Sequence, residues 1–394
     1  MLVLIEDGEV FDPRPLGRTS VLIDDERIIK VGHVDRDALD RLDLEFEVLD
    51  AAGRLVVPGL IDPHQHLLGG SGEGSLARQT PMIFLSELIQ AGVTTVVGLL
   101  GVDTTMKTMA GLLARVKALN TEGLSARMWS GGYNVPPTTV MSSLREDIMF
   151  IDEVIGAGEV AISDHRSLAP TTEQLARVVL DTHVGGLLSG KAGITHFHVG
   201  ESDTRLRPLT RLVDEHDIEP GWLYPTHVTR SERLLQEAAE LARAGAWVDM
   251  DTVEPGIGQH VRGYLDAGGP LERLTLSSDA GSNSPETRWH EVRDCVLSCG
   301  FTVEQMLPLV TSNVAEALKL DRKGRLAPAM DGDVLLLEAE SLELECVVAR
   351  GKVMMRDGAV VATEEFVPEM TRRFALTGSK DDPRMEGARA VQRA

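Results

Sequence analysis

Leu55-Val-Val-Pro-Gly-Leu-Ile61 is an apolar, strand-like run that continues as Asp62-Pro-His-Gln-His66, so a strand ends in two histidines separated by one residue. Side chains two apart on a strand share a face. At the C-terminal mouth of a barrel strand, two neutral imidazoles pointing inward can ligate a single divalent ion, commonly zinc at about 2.0 to 2.1 Å. A pair of surface histidines in a loop is the alternative reading of this stretch alone.

Seven further apolar runs follow at βα spacing: Val93 to Leu99, Ala126 to Ser130, Glu159 to Ser163, Ile194 to Val199, Gly221 to Pro225, Ala246 to Met250 and Arg273 to Ser277. Helical patterns lie between them, among them Met82 to Gln90, Leu144 to Ile155 and Ser231 to Arg243, with Ser231 placed to cap its own first turn. Runs of this kind alternating with helices build a parallel sheet, and eight repeats close it into an α/β fold, a (β/α)8 TIM-type barrel over residues 54–327. The flanks read as β-rich. Val3 to Ile5, Ser20 to Ile23, Ile28 to Val31 and Glu47 to Leu49 precede the barrel, and Asp333 to Leu337, Leu344 to Val348 and Lys352 to Met355 follow it, with Asp357-Gly358 as a hairpin turn. Residues 1–53 and 328–376 are therefore expected to build one small β-sandwich, and 377–394 to be a flexible tail or an oligomer contact.

Composition narrows the partners. The 394 residues carry 61 acidic against 39 basic side chains, a formal net charge of -22, which repels nucleic acid and anionic membranes. No apolar run approaches the roughly 20 residues that a bilayer needs, and no leader pattern is present, so a cytoplasmic location is expected. Cys295, Cys299 and Cys346 read as packed thiols.

The two histidines gain weight from recurrence. Thr195-His-Phe-His198, Pro225-Thr-His227 and Leu276-Ser-Ser-Asp279 also end apolar runs in ligand-type side chains, so four strands deliver imidazole and carboxylate to one mouth. His196 alternates with His198 and should face the barrel wall or support a ligand from behind. His165 is read in the same way. Its neighbour Arg166, and Arg230 three residues beyond His227, suit the grip of a substrate carboxylate, although a surface salt bridge is the commoner role for each alone.

The chain resembles the amidohydrolase superfamily and, within it, the isoaspartyl (β-aspartyl) dipeptidases. The likeness runs through Gly59-Leu-Ile-Asp-Pro-His-Gln-His66, Gly69-Gly-Ser-Gly-Glu73, Ala91-Gly-Val-Thr-Thr-Val-Val-Gly-Leu-Leu-Gly101, Ala161-Ile-Ser-Asp-His-Arg-Ser167, Pro225-Thr-His-Val-Thr-Arg230 and Leu276-Ser-Ser-Asp279. It implies two divalent metal ions, with zinc expected: one held by His64, His66 and Asp279, the other by His198 and His227. The family bridges its metals with a carboxylated lysine, whereas the matching position here is Glu159. Glutamate offers the same two oxygens and negative charge on a shorter arm, for ions about 3.5 to 4 Å apart, so strand four should bring its backbone closer; an exposed loop glutamate beside a one-metal site is the alternative.

The same resemblance gives Glu73 to the substrate α-amino group, Arg230 to its α-carboxylate, Arg166 to the carboxylate of the leaving amino acid and Tyr133 to the scissile carbonyl, with Ser71, Ser282 and Asn283 in contacting loops. It implies metal-dependent hydrolysis of the β-aspartyl peptide bond of dipeptides by a metal-bridging hydroxide, with Asp279 moving the proton. It also implies a homo-oligomer, an octamer in that family. The rivals are another binuclear amidohydrolase, such as a cyclic amidase or an N-acyl amino acid deacylase, and a non-catalytic scaffold of the same fold.

Overall fold

Gly59 is where the chain changes sheets. Its N–H donates to Asp333 O at 2.9 Å, and that of Leu60 donates to Gly92 O at 3.2 Å. A Cβ at position 59 would lie 2.2 Å from Thr94 Oγ1, so only glycine lets the chain pass. The run read as one barrel strand is therefore two: Arg54–Pro58 pairs with Leu2–Asp12 and Val334–Glu338, and Leu60–Gln65 is the first barrel strand. The computed structural model describes residues 2–371 other than 42 and 44; the expected tail 377–394 lies outside them.

The barrel strands are β1 (Leu60–Gln65), β2 (Val93–Gly98), β3 (Ser125–Ser130), β4 (Val154–Ile162), β5 (Ile194–Val199), β6 (Leu223–Thr226), β7 (Val248–Asp251) and β8 (Leu274–Ser277). β1 to β6 pair in parallel in chain order, and β7 pairs with β8. Trp247 N donates to Leu223 O at 3.2 Å beside β6 and β7, and His66 N to Ala280 O at 2.7 Å brings the end of β8 back to β1, closing the (β/α)8 barrel. A helix follows each strand: α1 (Leu85–Gln90), α2 (Met109–Glu122), α3 (Leu144–Phe150), α4 (Thr172–Ser189), α5 (Arg207–His216), α6 (Glu232–Arg243), α7 (Ile257–Asp266) and α8 (Thr287–Leu297), the last succeeded by the short helices Val303–Met306 and Ser312–Ala317. Ser231 Oγ accepts from Leu234 N at 3.2 Å, the expected cap of α6.

The helical pattern from Leu144 stops earlier than its apolar spacing suggested. α3 ends at Phe150, and Val154-Ile155 already belong to β4, where β-branched side chains fit the pleated sheet. Gly156 permits the close approach of β5, because a Cβ there would meet Ile194 O at 2.2 Å. Residues on alternating faces divide between two apolar layers. Val96, Met128, Val160 and Phe197 face the helices, whereas Val97, Trp129, Ile155, Ile194, Tyr224 and Trp247 fill the barrel and are floored by Val314 and Leu318.

Strands from both termini share a nine-stranded sheet with its own core of Val3, Ile5, Val21, Ile23, Val334 and Val348. The sheet curls on itself: Ala329 N donates to Ile28 O at 2.8 Å and Ile28 N to Met330 O at 2.9 Å, joining the edge strand Arg27–Gly32 to the segment that leads into Val334–Glu338. Asp357 (φ 50°) and Gly358 (φ 72°) make the tight turn between Lys352–Arg356 and Ala359–Val360. The segment from Thr363 is a separate unit, with a short 3-10 turn at Val367–Glu369. Among the described residues no helix is long and apolar enough to cross a membrane. The three cysteines are free thiols, and burial pushes Cys295 and Cys346 up to about 12.

Candidate metal centre

The strand ends meet at one mouth. Asp279 Oδ1, just beyond β8, lies 3.2 Å from His64 Nε2 and 3.1 Å from His66 Nε2, both from the end of β1. Glu159 Oε1, from β4, is 3.7 Å from each of the same two nitrogens. Its Oε2 is 3.2 Å from His198 Nδ1 on β5 and 3.8 Å from His227 Nε2 just past β6. Glu159 thus stands between two sets of ligand-type side chains while itself 1% exposed. His227 (φ 62°) and Asp279 (φ 48°) hold left-handed backbone conformations that cost a residue with a Cβ of order 1 kcal/mol or more, a cost that clusters at functional sites.

A bulge aims Glu159. Ala157 pairs with Thr195 and Val160 with Phe197, so Gly158 and Glu159 together oppose the single residue His196. The extra residue re-aims a side chain that a regular strand would place otherwise, and Gly158 allows it, since a Cβ there would lie 2.7 Å from His196 Cβ.

Hydrogen bonds behind the mouth fix which nitrogen faces it. His196 Nδ1 is 2.9 Å from the Tyr224 carbonyl, to which it can only donate, so its Nε2 is an acceptor. That acceptor lies 2.9 Å from His64 Nδ1, which must then donate, leaving the lone pair of His64 Nε2 directed at Glu159 and Asp279. Burial lowers the His196 pKa well below the usual imidazole range and keeps it neutral, as the relay requires. Trp129 stacks on His196 at 5.0 Å and donates to Pro63 O at 2.9 Å. In the same way His227 Nδ1 donates to Asp251 Oδ2 at 2.8 Å and turns Nε2 to the mouth.

This arrangement is short of positive charge. Among the described residues His64 Nε2 and Glu159 Oε1 are fully buried without a hydrogen-bond partner, and with Nε2 unprotonated two facing acceptors of that kind are costly unless a proton or a metal cation lies between them. Burial disfavours charge on His64, yet Glu159 and Asp279 outweigh it and push its pKa up to about 9. Burial likewise opposes ionisation of Glu159, but His64 and His198 hold its carboxyl well below the usual range. Among the described residues three sets of donors lie close enough to hold an ion: His64, His66 and Asp279; His64, Glu159 and His227; and His227, Asp251 and Asp279. His198 stands outside those sets. Besides Glu159, its ring nitrogens meet Tyr133 OH at 2.8 Å, Asp164 Oδ2 at 3.0 Å and Arg166 Nη2 at 3.0 Å. The donors fit divalent ions, with imidazole and carboxylate the chemistry of zinc and its neighbours.

A sequence model of the Amidohydrolase family matches residues 55–360, a span that takes in every one of these donors. The chain belongs to the amidohydrolase family. Solved structures similar to this amidohydrolase include the β-aspartyl dipeptidase of the thermophilic, keratin-degrading Fervidobacterium islandicum AW-1, at 38% identity and a TM-score of 0.87 over 91% of this chain and 98% of that one. The same enzyme in complex with a β-Asp-Leu dipeptide gives 36% identity and 0.86, covering 91% and 97%. Curated relatives are more distant: an adenine deaminase of Paracoccus denitrificans is 25% identical over 84% of this chain and 54% of its own, and an imidazolonepropionase of Streptomyces coelicolor is 24% identical over 86% and 91%. The chain spans about half the length of that adenine deaminase. The family match places the chain among amidohydrolases, which in general bind divalent metals.

The amidohydrolase mouth opens into a cavity of about 170 Å³ lined by His66, Glu159, His198, His227 and Asp279, and also by Ser71, Glu73, Tyr133, Arg166, Arg230, Ser282 and Asn283. Arg166 is held from several sides. It donates from Nε to Asp164 Oδ1 and from Nη2 to Asp164 Oδ2, both at 2.8 Å, from Nη1 to Glu73 Oε1 at 2.8 Å, and lies 5.2 Å above the Tyr133 ring. Arg230 Nη1 is 3.8 Å from Asp164 Oδ2. Burial and then Glu159 raise the Tyr133 phenol well above its ordinary value, so it stays a neutral O–H donor. His165 is turned out, with 87% of its side chain exposed.

Three groups escaped the sequence reading. Asp251 ends β7 by the same strand-end logic that picked out Asp279 and could have been found by it. Asp164 lies inside the quoted Asp-His-Arg stretch, overshadowed by Arg166. Lys107 belongs to no motif; its Nζ donates to the carbonyls of Gly69 and Gly70 and so ties down the loop that carries Ser71 and Glu73.

Proposed function

We propose that this amidohydrolase cleaves the β-aspartyl bond of isoaspartyl dipeptides with the help of two divalent ions, zinc in the first place. His64, His66 and Asp279 would hold one ion and His198 and His227 the other, with Glu159 between. When bound, such ions supply Lewis-acid polarisation and lower the pKa of water. The observation that carries this reading is the buried Glu159, whose two oxygens face the two sets of imidazoles.

The chain's own residues would do the rest. Asp279, ionised and open to the cavity, accepts the proton released on attack at the amide carbon and returns it to the leaving amine. Tyr133 directs its phenolic O–H at the developing oxyanion. Arg230 and Arg166 orient the carboxylates of the substrate, and Glu73 its ammonium. One acid and two guanidiniums match a ligand with one amine and two carboxylates. For that ligand to enter, Glu73 must leave Arg166, which frees its carboxylate for the amine.

A hydrolysis panel tests this: β-Asp-Leu, α-Asp-Leu and cyclic amides, each with and without a chelator. Chelator-sensitive turnover of the β-linked peptide alone is the expected result. Faster turnover of a cyclic amide would favour the second reading, that of a cyclic-amide hydrolase, for which the sequence likeness to imidazolonepropionase speaks; charge reversal at Arg230 would leave such an activity standing.

A further inference from the structure

The end of the barrel opposite the histidines holds a second cleft, of about 830 Å³, formed at the starts of β3 and β4, the residues before β5 and the loop after the helix Ser312–Ala317. Among the described residues eight Lys and Arg side chains line it against four Asp and Glu, in a chain whose totals run the other way, 39 against 61. Five of the cations are matched: Lys117 with Glu153 at 2.7 Å, Lys323 with Asp331 at 2.7 Å, Arg322 with Asp331 at 3.4 Å, Arg27 with Asp331 and Arg350 with Glu26.

Arg127, Lys191 and Lys319 are left, with no carboxylate within 4.0 Å among the described residues. Arg127 sits on β3 two residues below Trp129, half-buried. Burial disfavours its charge; Glu153 and Asp152 offset this in part, while Arg322 and Arg350 add to it. Lys191 Nζ donates to Ile148 O at 2.7 Å and Ile151 O at 2.6 Å, which fixes the ammonium without neutralising it. Lys319 Nζ reaches the Lys191 carbonyl at 3.3 Å, which brings this exposed ammonium into the same cleft. Beyond those pairs the cleft keeps these three cations against one further acid, Asp152, and holding that excess together costs free energy that a ligand with several negative charges would recover. Among the described residues the lining contains no aromatic ring, so it offers no platform for stacking a base.

We propose that this cleft binds a small, non-aromatic polyanion carrying two or more phosphate or carboxylate groups, with Arg127, Lys191 and Lys319 as its principal contacts. The site is separate from the proposed chemistry, since barrel enzymes react at the other mouth. A ligand bound to the folded state alone also raises the unfolding temperature, by mass action.

The test is calorimetric titration of the metal-loaded full-length chain with fructose 1,6-bisphosphate for phosphate and tricarballylate for carboxylate, against sodium chloride of matched ionic strength. Saturable binding of at least one of them, weakened about tenfold or more by Arg127→Gln (about 1.4 kcal/mol), is the expected result, and the two arms tell which oxyanion is taken. Should Arg127→Gln fail to fold, the exposed Lys319→Gln gives the same comparison. Heats equal to the chloride blank for both ligands overturn the proposal. So does binding that survives both substitutions, which would belong to the guanidiniums of the other mouth.

Discussion

Asp249 and Asp251 lie two residues apart on β7, both facing the barrel interior, yet one belongs to a closed layer and the other to an open one. Asp249 accepts from Thr226 Oγ1 and Thr275 Oγ1 at 2.7 Å and from Ser277 Oγ at 2.6 Å. Burial raises its pKa, and neutral hydroxyls offset that only in part. One layer up, Asp251 has His227 as its partner; burial pushes its pKa up, but the imidazole outweighs it and the carboxyl is held below the usual range. Glu159 and Asp279 share that upper layer and that direction. The lower layer satisfies its buried carboxylate with neutral donors and needs nothing more. The upper one balances acids against imidazoles and leaves His64 Nε2 and Glu159 Oε1 without a hydrogen-bond partner among the described residues. A satisfied network is structure, and an unsatisfied one is a place for a cation.

The comparison can be broken from either side. The largest effect is expected for Asp279→Asn, which keeps shape but cannot accept a proton: kcat/KM should fall by about 10⁴-fold, while metal analysis still finds most of the ions. Parent-like activity would remove Asp279 from the mechanism. Asp249→Ala should do the reverse, lowering stability by about 2–4 kcal/mol in denaturant titration because three buried hydroxyls lose their acceptor, with kcat of the folded fraction unchanged. Loss of activity at constant stability would move the lower layer into the site.

Between these, Asp251→Asn should weaken zinc affinity about 10–100-fold in competition with a chelator, since His227 loses the partner that fixes its tautomer. Unchanged affinity would make Asp251 a bystander. The smallest effect expected is none at all. Apoprotein given zinc in bicarbonate-free, degassed buffer should recover full activity, because a glutamate carries its carboxylate without added carbon dioxide. A bicarbonate requirement would point to a lysine carbamate elsewhere.

What the sequence determined was the repeat and its punctuation. Short apolar runs alternating with helical patterns read as the strands of a parallel sheet, and a run that ends in His or Asp places that side chain at the mouth; this made the barrel, the terminal strands and the strand-end positions of His64, His66, His198, His227 and Asp279 readable in advance. Glu159 was readable as a departure from a motif, but its bulge opposite His196 was not, because a bulge depends on the neighbouring strand. The division at Gly59, the relay from Tyr224 through His196 to His64, and the roles of Asp164 and Asp251 were decided only by tertiary structure. So was the cationic cleft, whose Arg127, Lys191 and Lys319 come from three distant segments. The reason is physical: alternation and turn chemistry act between near neighbours in the chain, whereas hydrogen-bond satisfaction and charge balance act between whichever groups folding places within a few ångströms.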